Sequence, residues 1–272
     1  MNAVRPTAPF GRRAVELTAV RSFGEYTVLD VHDPEAPNAL PGQFHMLSAE
    51  VGWGAGEDGR PWLPRAISFL TSDGEGGFGF LIDSVGPGTD RLTRMEPGER
   101  LLVTGPFGNG FQPVGASRRP LLLGGGIGAA PVMAAAEALA KQGTGYDLVL
   151  GFRGSEQGAI SALAEVATVV TDDGSLGDEG TVIGPLMETA NDSTEILACG
   201  PPAMLEAVRA LAAERGLPSQ LALESPMACG FGACFGCAIE TKRGTLRLCV
   251  DGPVLAGDDL VAVTASGRAG AQ

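Results

Sequence analysis

The chain has 272 residues, of which 44% are hydrophobic and 19% are charged, and its net charge is −13. This length and apolar content fit two globular domains with a small appendage and exclude a disordered acidic chain. Only 19 residues are Lys or Arg, which argues against a nucleic-acid-binding protein because phosphate backbones require clustered cations.

Six short β-rich segments fill the first part of the chain, and clusters such as Pro41-Gly42 and Pro97-Gly98 separate them. Short strands at this spacing are typical of an antiparallel barrel or sandwich. We therefore predict an N-terminal antiparallel β-barrel domain over residues 10–113. The predicted strands are residues 14–20, 25–31, 43–49, 66–71, 78–84 and 100–104.

The pattern changes after Pro120, where short apolar strands alternate with helical segments. Such alternation is typical of a doubly wound, mostly parallel sheet that binds a nucleotide. We predict this α/β domain over residues 118–224 and a small cysteine-rich segment over residues 225–262. The predicted strands are residues 121–123, 147–152, 166–171, 195–199 and 220–224, and the predicted helices are residues 130–141, 159–164, 184–190 and 202–215.

Four of the five cysteines follow the spacing C-x4-C-x2-C with a fourth further on: Cys229, Cys234, Cys237 and Cys249. This is the plant-type spacing for a [2Fe-2S] cluster. The small residues between them let the backbone wrap a cluster and direct N–H groups at its sulfurs. A zinc site is the alternative, but zinc sites usually pair two C-x2-4-C knuckles, and here the fourth cysteine stands alone. We predict a cluster ligated by these four cysteines.

Two segments of the predicted barrel have the residue types that contact a phosphate-bearing cofactor. In Arg65-Ala66-Ile67-Ser68, an Arg and a Ser three residues apart on a strand can meet phosphate and ring groups together. Gly86-Pro87-Gly88-Thr89 is a glycine-rich turn that can direct N–H groups and a hydroxyl at a diphosphate. Each pattern is weak by itself. Residues 105–111 form a strong turn signal that fits either a domain boundary or a plain linker.

Three segments of the predicted α/β domain lie where such sheets bind ligands. Gly124-Gly125-Gly126-Ile127-Gly128 follows a strand and opens a helix, as a diphosphate-binding loop does, although it is not G-x-G-x-x-G. Thr171-Asp172-Asp173-Gly174 and Cys199-Gly200-Pro201 each end a predicted strand, at the ligand-binding edge of the sheet. Cys199 alone also fits a small buried hydrophobic residue.

In their order along the chain, these motifs resemble the flavin and iron–sulfur electron-transfer subunits of class 1B dihydroorotate dehydrogenase, within the ferredoxin–NADP reductase superfamily. The resemblance spans nearly the whole chain, and its most specific stretches are residues 227–237 and 249–254. It implies an NAD(P)H-dependent oxidoreductase subunit that passes electrons between NAD, FAD and a [2Fe-2S] cluster. It also implies an FMN-containing catalytic partner in pyrimidine biosynthesis, in a cytoplasmic heterotetramer of two catalytic and two electron-transfer subunits.

The resemblance also implies cofactor contacts in both predicted domains. No side chain is expected to act as a catalytic acid or base, because hydride transfer depends on the placement of the two rings. For FAD, the implied residues are Arg65, Ala66, Ile67 and Ser68 at the isoalloxazine and phosphate, Leu81, Ile82 and Asp83 on the next strand, and Gly88 and Thr89 at the diphosphate. For NAD, they are Gly124, Gly125, Gly126 and Gly128 in the loop and Cys199, Gly200 and Pro201 near the nicotinamide.

Three positions bear on how well the implied cofactor contacts apply to this chain: two differ from the family pattern, and one affects the choice between NAD and NADP. Ala66 stands where the family commonly has proline, which changes rigidity rather than chemistry. Asp83 stands where an arginine is frequent, and a carboxylate there would not attract the FAD phosphates. Arg153 could meet a 2′-phosphate and favour NADP, although Gly151-Phe152-Arg153 also fits the NAD-using family.

Two alternative functions remain on this sequence. One is the reductase subunit of a related complex, of the NADH-dependent ferredoxin–NADP oxidoreductase, sulfhydrogenase or sulfite reductase type, with the same cofactors and another acceptor. The other is a zinc-stabilised, non-catalytic nucleotide-binding module. No stretch of about 18 uninterrupted apolar residues occurs, so we expect no transmembrane helix.

Overall fold

A computed structural model describes residues 11–54 and 61–263; residue 10, where the predicted barrel domain starts, lies outside the described residues. Six antiparallel strands close into a barrel, in the spatial order first, second, fifth, fourth, third, sixth. The predicted barrel is therefore confirmed. Its strands are β1 (Arg13–Phe23), β2 (Tyr26–His32), β3 (Phe44–Ala49), β4 (Arg65–Ser72), β5 (Gly77–Asp83) and β6 (Arg100–Phe107), with a short helix α1 (Pro87–Thr93) after β5.

The barrel forms because apolar residues alternate along its strands. In β1, Val15 and Leu17 are buried while Glu16 and Thr18 are exposed, which is the two-residue period of a strand with one face in a core. The same face of the other strands supplies the rest of the barrel core. Its fully buried members include Leu29, Leu47, Phe69, Phe80, Ile82 and Leu101.

The barrel interior also contains polar side chains. Arg13 pairs with Asp33 at 2.7 Å and donates a second hydrogen bond to the carbonyl oxygen of Gly105 at 2.9 Å, so it links β1 to β6. His45 is fully buried, with its ring 5.1 Å from that of Phe78. Neither of its ring nitrogens has a hydrogen-bond partner among the described residues. Burial, together with the charge of Arg13, lowers the pKa of His45 to about 3.

The second domain is a seven-stranded sheet with helices packed on it. Five consecutive strand pairs are parallel, which confirms the predicted doubly wound, mostly parallel sheet. The strands are β7 (Arg119–Gly125), β8 (Asp147–Phe152), β9 (Thr168–Thr171), β10 (Asp178–Glu179), β11 (Thr194–Cys199), β12 (Ser219–Ala222) and β15 (Val254–Ala256); the helices are α2 (Ala129–Lys141), α3 (Ser155–Gly158), α4 (Ile183–Thr189) and α5 (Pro202–Arg215).

The sheet order is β10-β9-β8-β7-β11-β12-β15. The order of the strands along the chain reverses at β7, so the crevice for a ligand lies between the ends of β7 and β11.

The helix predicted over residues 159–164 is a 3-10 turn, Ala159–Leu163, that continues the single turn of α3. The final predicted strand, 220–224, ends two residues early, at Ala222.

The C-terminal segment folds onto both domains. A hairpin of β13 (Ala238–Thr241) and β14 (Gly244–Arg247) is followed by β15, which pairs antiparallel with β12. One core therefore contains residues of the sheet, such as Leu121, and residues of the segment, such as Leu248. Among the described residues, no helix is long and apolar enough to span a bilayer.

The first prediction concerns the buried histidine. The folded chain keeps His45 neutral, whereas the unfolded chain takes up a proton as the pH falls below about 6.5. The free energy of unfolding therefore decreases as the pH falls from about 6.5 towards about 3, by about 1.4 kcal/mol per pH unit. From pH 7 to pH 5, urea titrations should show a loss about 2 kcal/mol larger for the wild-type chain than for His45→Phe. Equal losses would contradict the assignment.

Candidate cofactor sites

The hairpin β13–β14 brings the last two cysteines of the predicted cluster site together. Cys237 precedes β13 and Cys249 follows β14, and their sulfur atoms are 3.2 Å apart. Both side chains are buried. Two sulfurs on one tetrahedral metal at about 2.3 Å stand about 3.8 Å apart. This pair is thus close to the separation that one iron requires.

The loop between Cys229 and Cys237 turns its backbone towards sulfur. Gly230 and Gly232 have φ values of 77° and 92°, in the left-handed region that glycine tolerates. The N–H of Cys234 donates to the sulfur of Cys229 at 3.4 Å, and the N–H of Cys249 donates to the sulfur of Cys237 at 3.5 Å. Such N–H groups stabilise thiolates and tune a cluster bound to them.

These contacts give the cysteines different acidities. Burial raises the pKa of Cys229, but hydrogen bonds from the N–H groups of Cys234 and Phe231 outweigh it and bring the pKa to about 6. Burial and the hydrogen bond with Cys237 raise the pKa of Cys249 to about 12. Because metals bind the thiolate form, Cys229 is better prepared than Cys249 to ligate a metal.

The four cysteines form two pairs. The sulfur of Cys229 accepts a hydrogen bond from the N–H of Cys234, and Cys237 lies against Cys249. Over residues 11–54 and 61–263, no three His, Cys, Asp or Glu side chains are close enough to share one ion. A [2Fe-2S] cluster takes two ligands on each of two irons, so a donor set in two pairs fits this group. The ligand assignment itself stays a prediction.

The predicted FAD contacts Arg65, Gly88 and Thr89 lie together at the start of α1. The guanidinium of Arg65 packs directly on Gly88, so that any side chain at position 88 would collide with it. It also lies 5.6 Å from the centre of the Trp53 ring. The Thr89 hydroxyl accepts hydrogen bonds from the N–H groups of Val85 at 2.9 Å and Gly86 at 3.1 Å. A positive charge thus faces a glycine-rich first turn.

The other predicted FAD contacts divide between outward and buried positions. Ala66 is exposed and Ser68 is half-buried on the outer face of β4, whereas Ile67 packs against the barrel core. Leu81 and Ile82 are 1% and 0% exposed. Any contact from these two residues would therefore come from their backbone.

Asp83 lies at the junction of the two domains. Burial raises its pKa and Glu25 raises it further, whereas the positive charge of Arg153 lowers it. The same arginine opposes the rise in the pKa of Tyr26, which burial, Asp83 and Glu25 cause. The positive charge of Arg153 therefore acts on Asp83 and Tyr26 of the barrel.

The predicted NAD contacts meet at the crevice between β7 and β11. In the parallel pairing of these strands, Gly124 lies opposite Cys199. A Cβ at Gly128 would come within 2.5 Å of the carbonyl oxygen of Cys199, and one at Gly125 would come within 3.0 Å of Pro201. These glycines allow the loop to pack directly on the corner. Six of the seven predicted residues are thus brought together: Gly124, Gly125, Gly128, Cys199, Gly200 and Pro201. Gly126 instead faces the hydroxyl of Tyr26 in the barrel, which would lie 3.7 Å from a Cβ at that position.

Cys199 is 5% exposed, and its thiol is neutral at physiological pH. Burial raises its pKa well above the usual range and Glu224 adds to the rise, against a hydrogen bond from the N–H of Gly200. A neutral, buried thiol is a poor nucleophile. We therefore expect no nucleophilic role for Cys199.

Comparison with known proteins identifies the family. A model of the iron–sulfur cluster binding domain of dihydroorotate dehydrogenase B matches residues 224–261. The electron-transfer subunit of dihydroorotate dehydrogenase B (NAD+) from Clostridium acetobutylicum is 34% identical, covering 81% of this chain and 86% of its own. That from Geobacillus thermodenitrificans is 36% identical with the same coverage. This chain belongs to the family of dihydroorotate dehydrogenase B electron-transfer subunits.

Solved structures agree with this membership. A structure of the NADH-dependent reduced ferredoxin–NADP oxidoreductase, described in the context of flavin-based electron bifurcation, superposes with a TM-score of 0.77 and 26% identity, covering 92% of this chain and 91% of that one. Phthalate dioxygenase reductase, described as a modular structure for electron transfer from pyridine nucleotides to [2Fe-2S], has a TM-score of 0.63 at 15% identity over 88% and 94% of the two chains. At 15% identity, the similarity to phthalate dioxygenase reductase shows only that the two chains share a fold.

The sequence did not single out two residues that contact the predicted sites. Trp53 lies against Arg65, and Met46 lies opposite Ala66 in the β3–β4 pairing. Only two tryptophans occur in the chain, and that scarcity was the available signal for Trp53. Nothing in the sequence marks Met46, because its importance depends on a contact with a distant segment.

Proposed function

We propose that this family member passes electrons between NAD(H), FAD and a [2Fe-2S] cluster, to or from an FMN-containing catalytic subunit that interconverts dihydroorotate and orotate. The observation that carries the proposal is the cysteine loop, with four thiols in two pairs and N–H groups directed at their sulfurs. Its three parts would be an FAD-binding barrel (10–113), an NAD-binding domain (118–224) and a cluster-binding segment (225–262).

For FAD, the proposal rests on the charge and space around Arg65. The guanidinium would bind the diphosphate over Gly88, and the N–H groups of the first turn of α1 would complete the anion site. Ala66 and Ser68 face outward beside this turn, where a flavin ring can lie on β4. When bound, FAD would accept a hydride from NADH and release its two electrons singly to the cluster, with the proton passing to solvent.

For the nicotinamide nucleotide, the packed glycines of the 124–128 loop leave backbone N–H groups as the donors for a diphosphate. The corner of Cys199, Gly200 and Pro201 would hold the nicotinamide ring against the flavin. The neutral thiol of Cys199 contributes shape there rather than a charge. The chain's work in hydride transfer is therefore to align two rings and to keep water away from them.

NAD rather than NADP is supported by the acidic end of β9. The carboxylate of Asp173 accepts hydrogen bonds from the hydroxyl and N–H of Ser175 at 2.6 and 3.0 Å. The hydroxyl bond first, and then the N–H bond, lower the pKa of Asp173 and keep it ionised. An ionised carboxylate at this edge of the sheet can accept from a ribose hydroxyl and repels a 2′-phosphate. Arg153 is the candidate for binding that phosphate, and its positive charge also acts on Asp83 of the barrel.

The most specific part of the proposal is the identity of the partner that exchanges electrons with this chain. The names of the relatives support a catalytic subunit of dihydroorotate dehydrogenase as the partner. A cytoplasmic heterotetramer of two catalytic and two electron-transfer subunits remains our prediction. The TM-score of 0.77 to the ferredoxin–NADP oxidoreductase structure favours a second candidate, a reductase subunit with the same cofactors that serves another acceptor.

Co-expression with the FMN-containing subunit tests the function. We expect a coloured complex with iron, acid-labile sulfide and FAD, in which NADH drives the reduction of orotate to dihydroorotate without oxygen. A complex that holds these cofactors but does not reduce orotate would favour another acceptor. A colourless protein with zinc and no iron would overturn the proposal in favour of a non-catalytic module.

The second prediction concerns Gly88. In Gly88→Val the new side chain displaces the guanidinium of Arg65, and the loss of a charge-assisted hydrogen bond should weaken FAD binding about ten- to a hundredfold. Titration of the flavin-free protein with FAD measures this. Gly184→Val is the matched control, because Gly184 is also the second residue of a seven-residue helix and has open space around it. Equal affinity in both variants would contradict the Arg65 assignment.

The third prediction concerns the cluster ligands. Cys234→Ser should lose the cluster, from about two irons per chain to nearly none, while NADH still reduces the bound flavin. Iron analysis and the visible spectrum measure the two effects. Cys199→Ala is the control: it removes the cysteine that is not a predicted cluster ligand, and the variant should keep the wild-type iron content. Full iron content in Cys234→Ser would count against that cysteine as a ligand.

The fourth prediction concerns nucleotide choice. Asp173→Asn removes the charge that repels a 2′-phosphate, so the ratio of kcat/KM for NADPH over NADH should rise about tenfold. Asp192→Asn is the control. It removes an exposed charge just before β11, at the amino-terminal ends of the parallel strands, and should leave that ratio unchanged. Flavin reduction followed by stopped flow provides both constants. A ratio unaffected by Asp173→Asn would place the ribose elsewhere.

A further inference from the structure

The third barrel strand separates the barrel interior from the cysteine segment. All six residues of β3 are buried, and successive side chains of a strand point to opposite faces. His45 packs among barrel phenylalanines on one face. Phe44 and Met46, on the other face, belong to the core that contains Cys237 and Cys249. The outer face of β3 therefore supports the predicted cluster site.

Met46 contacts the two parts that exchange electrons in the proposed function. In the β3–β4 pairing it lies opposite Ala66, inside the predicted flavin-binding motif. On its other side it lies against Gly230, the neighbour of Cys229. A Cβ at Gly230 would come within 2.6 Å of the Cγ of Met46 and 2.7 Å of its Sδ. One side chain, 2% exposed, thus spans from the flavin strand to the cluster loop.

We propose that Met46 is a positioning residue that holds the cluster loop against the flavin strand and thereby sets the rate of electron transfer between flavin and cluster. The inference rests on the proposed function and names a residue for one of its steps. No bond forms or breaks at Met46. A hydride would bring two electrons and one proton to the flavin. The single cluster of the chain would take one electron, pass it to the FMN-containing partner and then take the second, and the proton would go to solvent.

The cluster loop needs such an anchor. Gly230, Gly232 and Phe235 all have positive φ, and the tip of the loop is open, with Phe231 49% and Phe235 60% exposed. A segment with few buried contacts is held weakly in place. The contact of Gly230 with Met46 ties the start of this loop to the barrel strand that pairs with the predicted flavin strand. An unbranched, adaptable thioether fills this irregular gap well.

A comparison of two methionine variants tests the role. Met46→Ala leaves a void under Gly230, whereas Met95→Ala leaves a void in the barrel core away from the cysteine segment. Met95 is 3% exposed, so the two residues are matched in burial. Stopped-flow absorption with NADH resolves reduction of the flavin from reduction of the cluster, and rapid-freeze electron paramagnetic resonance follows the reduced cluster. Flavin and iron contents are measured for each protein.

In Met46→Ala we expect the flavin to be reduced at the wild-type rate and only the reduction of the cluster to be slower. We expect Met46→Leu, which restores the volume, to recover most of that speed, and Met95→Ala to match the wild type in both steps. Loss of iron from Met46→Ala alone would also support the anchoring role, since Met95→Ala would show that a buried void is not enough.

Two results would overturn the inference. One is cluster reduction at the wild-type rate in a Met46→Ala protein with full iron; the other is equal slowing in Met46→Ala and Met95→Ala, which would indicate general destabilisation. A wild-type protein without flavin or iron would instead overturn the proposed function. The two failures are distinguishable because the wild type is measured first.

Discussion

The structure depends on the close approach of backbone to sulfur in the cysteine segment. A thiolate removed from water needs donors, and here the chain's own N–H groups supply them at 3.4 to 3.5 Å. This approach requires the left-handed turns at Gly230 and Gly232, where glycine has no Cβ to resist it. Phe235 adopts the same conformation at φ 59°, with the guanidinium of Arg247 4.9 Å from the centre of its ring. That cation–π contact helps to hold a backbone state that a phenylalanine rarely adopts.

The cysteine segment can hold this geometry because it is tied to both domains. Arg247 donates to the carbonyl oxygen of Gly232 at 2.8 Å and closes the loop on its own hairpin. Asn109, in the junction between the domains, donates to the carbonyl oxygen of Asp251 at 2.8 Å. β15 then adds to the sheet beside β12. The junction over residues 105–111 is therefore a contact surface for the segment as well as a turn between two domains.

Most of the architecture was readable from the sequence because its signals are local. Short β-rich segments separated by glycine and proline clusters mark the barrel strands, and a glycine run between a strand and a helix marks the predicted nucleotide loop. The errors lie where pairing across the fold decides the structure. β10 and β15 have two and three residues, too few for a local pattern. Residues 159–163 have helical composition but form a 3-10 turn. The contacts of Met46 and Trp53 join segments that are far apart in sequence.

Glycines at the two proposed nucleotide sites serve different physical needs, and the difference explains how the chain would place two cofactors with few charged side chains. Gly88 is small so that Arg65 can lie over the first turn of α1, which brings a charge close to an anion site. Gly128 is small so that the turn after β7 can pack on the end of β11, at the carbonyl oxygen of Cys199. In the first case the missing side chain makes room for a charge, and in the second it makes room for backbone. A flavin and a nicotinamide held in this way would be aligned largely by rigid backbone, with few mobile side chains, which is the arrangement that hydride transfer between two rings requires.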